Sequence, residues 1–255
     1  MRAHALSLRP AAPGKLNLIG LRPDVLAEFF VGLGEKPYRA RQIMRWVYQR
    51  GVLDFSEMTD LSLRLRRQLD LVATLALPTV IRTQDSHDGT RKWVLDVGAG
   101  QAIETVYIPE PNRATLCISS QAGCAMDCSF CATGRRGFNR NLSATEILGQ
   151  VVLANQALGP DSAVTNVVFM GMGEPLLNFD NVVSAMQLML EDNAYGLARR
   201  RVTLSTAGLV PGIQKLKEVC PVSLAVSFHA PNDQLRGELV PVNKTSTVAT
   251  LLGAC

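Results

Sequence analysis

From residue 113 onward this 255-residue chain alternates short, continuously apolar runs with amphipathic stretches. That alternation is its strongest constraint on fold. The runs ATLCIS (114–119), NVVFMG (166–171), RVTLST (201–206) and VSLAVSF (222–228) are too uniformly apolar for strands with one wet face. They read as strands of a parallel sheet, buried on both sides. Between them lie helices. Ser143 with Glu146 makes a capping box for a helix through Ala157. Asp180 is placed to cap a second helix through Glu191, and Pro211 to open a third through Val219. Alternating β and α units predict an α/β fold with a parallel sheet, either open or curved into a barrel.

The preceding region follows a different rule. Residues 78–110 carry short β-prone runs broken by Asp88-Gly89 and Gly98-Ala99-Gly100, a pattern that predicts antiparallel hairpins. A small β-hairpin linker is therefore expected over 76–112. Residues 15–75 read as a small helical domain. Asp24 is expected to cap a helix ended by Gly34, a second runs through YRARQIMRWVYQR, and a third lies near LSLRLRRQLD. Residues 1–14 read as a disordered start without the apolar core of a signal peptide. No apolar run reaches the roughly 18–20 residues that span a bilayer, so no membrane partner is expected and the location is read as cytoplasmic.

The net charge of +4 is unevenly spread: residues 36–67 carry +5 and the remainder −1. A basic patch on the helical domain suits a polyanion such as RNA, and equally suits a solvated helix surface.

Of six cysteines, three fall within eight residues, Cys124, Cys128 and Cys131. Thiolates spaced by three and then two residues can wrap one face of a cuboidal iron–sulfur cluster and leave the fourth iron open. Structural zinc wants four ligands, usually as two CxxC-like pairs, and the neighbouring sequence offers no clear fourth. The triplet directly follows the first strand of the α/β region. Gly171-Met172-Gly173-Glu174-Pro175 ends the second such strand, a Gly-rich turn that lacks the last glycine of a dinucleotide fingerprint. Ser205 and the segment Ser227-Phe228-His229 end the third and fourth. Singly, these are a helix cap and a structural histidine as readily as ligands. Together they lie at the strand ends where barrel sites assemble.

The CxxxCxxC triplet, with Phe130 before its last cysteine and the GEP turn after the next strand, resembles the radical S-adenosylmethionine (SAM) enzymes. The wider text CISSQAGCAMDCSFCATG, with IETVYIP and LVPVNK, resembles the RlmN/Cfr family of RNA methyltransferases, from about residue 15 to the end of the chain. The resemblance implies a partial (β/α) radical SAM barrel, a [4Fe–4S] cluster on Cys124, Cys128 and Cys131, and SAM held near Gly173, Glu174, Ser205, Ser227, Phe228 and His229. It implies reductive cleavage of SAM to a 5′-deoxyadenosyl radical and methylation of adenine C2 in 23S rRNA and tRNA through a methyl-cysteine. Glu104 would accept a proton, and Cys117 would resolve the covalent intermediate by forming a disulfide. Arg135, Arg136, Arg140 and Arg199–Arg201 would line a phosphate-contacting or merely solvated rim, and Cys220 would be core. The implied partners are 23S rRNA, tRNA and an electron donor such as flavodoxin, with the protein a monomer. Members of the family continue past LVPVNK to two further strands and a methyl-carrying cysteine, so the chain reads as truncated, its barrel incomplete, with Cys255 not matching the carrier. A Cfr-like enzyme acting on adenine C8 and a non-catalytic Fe–S or RNA-binding fragment are the alternatives.

Overall fold

A computed structural model describes residues 14–159 and 163–255. The expected disordered start lies outside the described residues, but for Gly14. The N-terminal module opens with strand β1 (Leu16–Asn17), followed by helix α1 (Pro23–Gly32), α2 (Arg39–Met44, continued by a π turn over Arg45–Gln49), α3 (Leu63–Val72) and strand β2 (Ala73–Thr74). Asp24 does not cap α1. It sits in the first turn, and Arg22 occupies the N-cap position with Pro23 next. Pro at the first helical position costs no hydrogen bond, because that N–H has no helical acceptor in any case. Ser62 caps α3 through Leu65 N–H. Parallel pairing of β1 with β2 ties the module's two ends together, a two-residue ladder with no signature in its sequence.

The α/β region contains β3 (Thr79–Asp85), β4 (Arg91–Asp96), β5 (Ala102–Glu110), β6 (Arg113–Cys117), β7 (Gln121–Gly123), α4 (Ala132–Arg135), β8 (Phe138–Asn141) and α5 (Ala144–Leu158). It continues with β9 (Asn166–Phe169), α6 (Phe179–Leu190), β10 (Val202–Thr206), α7 (Val210–Val219), β11 (Ser223–Val226), α8 (Asp233–Leu239) and α9 (Val248–Ala254). One seven-stranded sheet runs in the order β11-β10-β9-β6-β5-β4-β3. The four expected parallel strands are present; β10 ends with its apolar run, and the other three end two residues before theirs, because the last residues turn into loops.

The hairpin region is not a separate linker sheet. Strands β3, β4 and β5 pair antiparallel with one another, and β5 pairs antiparallel with β6, so the meander extends the parallel sheet without a break. The capping box at the start of α5 is formed as expected, with Ser143 and Glu146 each bonding the other's backbone N–H. Asp180 is again a first-turn residue rather than a cap, and the N-cap position of α6 is Asn178.

Alternation along the strands divides the sheet into two faces. One face buries Trp93, Leu95, Ile103, Leu116, Val167 and Leu204 in a continuous apolar core that also includes Leu26, Phe30, Ile43 and Leu65 of the module. The module therefore packs on the same core as the sheet. Polar contacts fix its seat. Thr145 Oγ1 donates to Ile19 C=O at 2.7 Å, and Arg45 Nε donates to Asn193 Oδ1 at 3.1 Å.

Helix α5 is the hub. Its fully buried Gln150 accepts from Ser119 N–H and Thr105 Oγ1, both at 2.8 Å, and donates to Ser119 C=O at 2.9 Å. One side chain thus satisfies both backbone groups of the residue where β6 turns into the loop. Replacing Gln150→Leu keeps bulk but strands three buried polar groups. It should cost roughly 3 kcal/mol or more of unfolding free energy, measured by urea denaturation against the unsubstituted chain.

Candidate active site

The second face of the sheet is polar. Its register places Lys92, Val106, Cys117, Val168, Thr203 and Ser223 in one row across six strands. Two residues further along, Ser205 pairs with Ala225, and Glu104 lies on β5 beside the loop that follows Cys117. Glu104 and Cys117 thus share a face with Ser205. The Cys117 thiol is half-buried, and burial pushes its pKa upward. Glu104 is open to solvent and pairs with Lys92, Nζ to Oε1 at 3.1 Å.

The loop carrying the cysteine triplet is clamped at its base. Strands β7 and β8 pair antiparallel, and Cys124 N–H donates to Gly137 C=O at 3.0 Å. Gly123 has φ of +80°, and a Cβ there would come within 2.0 Å of Gly137 O, so only glycine allows the two strands this approach. Inside the loop, Cys131 N–H donates to Cys128 C=O at 3.0 Å, and Arg135 reaches back to Ser129 C=O at 3.1 Å. Ser129 N–H donates to Leu239 C=O, tying the loop to the end of α8. A cleft of about 690 Å³ opens between them, lined by Cys128, Arg135, Glu238 and Lys244 among others.

The GEP turn fits under the start of this loop. Met172 C=O accepts from both Ser120 and Gln121 N–H, at 2.8 and 3.1 Å. Gly173 has φ of +101°, and a Cβ would lie 2.5 Å from that of Gln121. Glu174 does not present its carboxylate to open space. It is buried, accepting from Ala207 N–H at 2.7 Å, Leu176 N–H at 3.1 Å and the Thr206 hydroxyl. Burial raises its pKa, and those donors oppose the rise. The carboxylate thereby ties the end of the second parallel strand to the end of the third.

Arg236 does the same for the third and fourth. Fully buried, it donates to the carbonyls of Ala207 at 2.6 Å, Ser227 at 3.3 Å and Phe228 at 3.1 Å, and to Asn243 Oδ1 at 2.8 Å. Asn243 in turn donates to Asp233. This network holds His229 in a left-handed conformation, φ +61°, with its ring 4.4 Å from that of Phe130. Phe130 and His229 meet although 99 positions separate them, so the fourth strand end reaches the cysteine loop. Reading the sequence alone did not single out Arg236, Gln150, Asn178 or Gln121. An arginine in an amphipathic helix reads as surface, and only its neighbours in space make it a strut.

The comparisons with known proteins fit this arrangement. Residues 16–75 match the family described as the ribosomal RNA large subunit methyltransferase N-terminal domain, and residues 118–254 match the radical SAM superfamily. A solved radical SAM methyltransferase from Sphaerobacter thermophilus superposes with a TM-score of 0.87 at 41% identity, over 94% of this chain and 71% of that one. The chain belongs to the RlmN family of radical SAM methyltransferases.

As a member of that family it is a SAM-dependent methyltransferase whose cofactors are a [4Fe–4S] cluster and SAM. The donor set suits the cluster better than a single ion. Among the described residues no three His, Cys, Asp or Glu side chains gather closely enough to hold one metal ion. Yet the sulfurs of the RlmN-type triplet are near enough to repel one another when ionised. Burial, then the charges of Cys124 and Cys131, push the Cys128 thiol up to about 11. Burial, with Glu174 and Cys131, raises Cys124. Three thiols without a clear fourth ligand suit a cluster with one open iron better than structural zinc, which wants four. All six cysteines are free, so the disulfide expected of Cys117 is not formed.

Arg236→Met should leave the buried acceptors Ala207 C=O and Asn243 Oδ1 without this donor and weaken the ties to Ser227 and Phe228, lowering unfolding free energy by about 3 kcal/mol. Arg236→Lys, which lacks the planar fork, should recover little of it. Thermal melts of both variants read the effect directly.

Proposed function

We propose that this chain carries the catalytic face of an enzyme that methylates adenine C2 in 23S rRNA and tRNA through a methyl-cysteine. The observation that carries the reading is the shared face of Glu104, Cys117 and Ser205 beside the cysteine loop. Cys124, Cys128 and Cys131 would hold the cluster by thiolate ligation, and the Gly173 turn, Ser205, Ser227, Phe228 and His229 would hold SAM. Bound together, these cofactors supply reductive cleavage of SAM, the chemistry that lets an unactivated carbon be methylated. Glu174 contributes by fixing the strand ends on which SAM rests, through Ala207 and Leu176 N–H, rather than by offering a free carboxylate.

Cys117 and Glu104 divide the closing steps. Cys117, on the strand floor, would attack the sulfur of the cysteine joined to the RNA; the S–S bond forms as the S–C bond breaks, and the released carbon takes the electron pair and a proton to become the methyl group. Glu104, two residues along on the neighbouring strand, would take the proton that leaves the adenine ring. The half-exposed aromatic Phe130 and the exposed Arg135 and Arg136 beside it suit an RNA backbone and an unstacked base, whereas Arg199–Arg201 immediately precede β10, at the end of the parallel strands away from the cysteine loop. The exposed Cys255 at the end of α9 has no place on this face. A one-electron donor such as flavodoxin would supply the reducing electron. No helix among the described residues is long and apolar enough to cross a membrane. A monomer acting in the cytoplasm completes the reading.

Anaerobic reconstitution with iron and sulfide, followed by iron counting and electron paramagnetic resonance with and without SAM, tests the site. A reduced cluster signal that shifts on adding SAM is expected, and Cys128→Ala should abolish it. Mass spectrometry of adenosines from treated RNA then separates C2 from C8 methylation. RNA binding and a SAM-responsive cluster without methyl transfer would overturn the catalytic reading in favour of an Fe–S and RNA-binding fragment.

A further inference from the structure

The polar face of the meander contains a contradiction that its side chains resolve. A substrate of the family is RNA, whose phosphates set up a strong negative potential over any surface they approach. A carboxylate standing open on that surface is repelled by the polyanion, and it repels the polyanion in turn. Yet β5 turns two glutamates, Glu104 and Glu110, toward this face, about half-exposed.

Each is matched by a cation from an adjacent strand. Lys92 Nζ lies 3.1 Å from Glu104 Oε1, and Arg113 Nε lies 3.2 Å from Glu110 Oε2. The Lys92 pairing is built into the register. Strand β4 places Val94 opposite Glu104 and Lys92 opposite Val106, so Lys92 is the diagonal neighbour of Glu104 on the same face. Val106 in turn faces Cys117 on β6. The ammonium therefore lies one row from the carboxylate and in the same row as the thiol. Arg82 on β3, opposite Val94, is a further cation on this face, and Asp96 a further anion.

We propose that Lys92 is a positioning residue for Glu104: it cancels the charge of the carboxylate, so that RNA can settle on a face that must present an acceptor of protons. Lys92 acts through Glu104 and is not itself a phosphate contact. In the open chain such a pair is weak, because water screens it. Once RNA covers the face and displaces water, the same pair strengthens, and it orients the carboxylate toward the base. This inference rests on the RNA-methyltransferase reading above, but it needs no cluster, no SAM and no turnover for its test.

The test is a double-substitution cycle on RNA affinity. Binding of a fluorescent adenine-containing RNA hairpin is measured at low ionic strength for the unsubstituted chain and for Lys92→Met, Lys92→Arg, Glu104→Gln and the double variant Lys92→Met/Glu104→Gln. Both side chains are solvent-accessible, so the fold should persist, and circular dichroism checks that it does. Lys92→Met should weaken binding roughly fivefold, the scale of one unmatched surface charge. Lys92→Arg should bind as the unsubstituted chain does. Adding Glu104→Gln to Lys92→Met should restore affinity to within about twofold, because no carboxylate is then left to neutralise. Glu104→Gln alone should change affinity less than twofold; if it tightens binding as much with Lys92 present as without it, the two charges act independently and the inference fails. If Lys92→Met binds as tightly as the unsubstituted chain, the inference fails and the RNA reading stands. If the unsubstituted chain binds no RNA, the RNA reading falls, and this inference with it.

Discussion

The antiparallel pairing of β5 with β6 is the contact on which the rest of this structure depends. It welds a meander to a parallel sheet and so gives one continuous face to residues from both. Without it, Cys117 would belong to one sheet and Glu104 to another. Because side chains alternate with a period of two, a slip of one residue in that register would turn Glu104 into the apolar core and Thr105 onto the open face. The register is held from behind: Thr105, fully buried, is bonded to Gln150, which also grips both backbone groups of Ser119.

Behind the open face lies a set of buried polar struts rather than plain hydrophobic packing. Gln150, Glu174, Asn178 and Arg236 are each 3% exposed or less, and each bonds mainly to backbone. Among the described residues no buried side-chain nitrogen or oxygen is left without a partner. Satisfied networks of this kind rigidify what they touch, while a half-satisfied one would cost more than an apolar replacement. What they touch here is loop backbone at the ends of parallel strands, where ligands are bound but regular ladders stop. The polar interior is the means by which irregular segments are kept in a single shape.

Much of this was legible in the sequence because the signals are local. Four apolar runs gave four strands, a serine and a glutamate three apart gave a formed capping box, and three cysteines within eight residues marked the loop. The failures are equally physical. Asp24 and Asp180 look like caps by type, but a cap is defined by where the backbone enters the helix, and both sit two positions past it, in the first turn. The hairpins read as a separate sheet because strand neighbours are set by long-range pairing that no window of sequence contains. Glu174 is expected beside SAM with the rest of its turn, but the sequence does not show what its carboxylate bonds to: besides Leu176 N–H, its partners Ala207 and Thr206 are more than 30 positions away.

Helix α5 has one more consequence. Thr145 at its start holds Ile19 of the module, Gln150 in its middle holds Ser119, and Gln156 near its end holds Gly51 of the module. From Thr145 to Gln156 the axis advances about 16 Å. A stiff rod pinned to the same body at both ends cannot be bent by a load on that body, and can only be carried with it. Any tilt of the module therefore moves Ser119, and the cysteine loop that starts five residues later, as a crank moves its shaft.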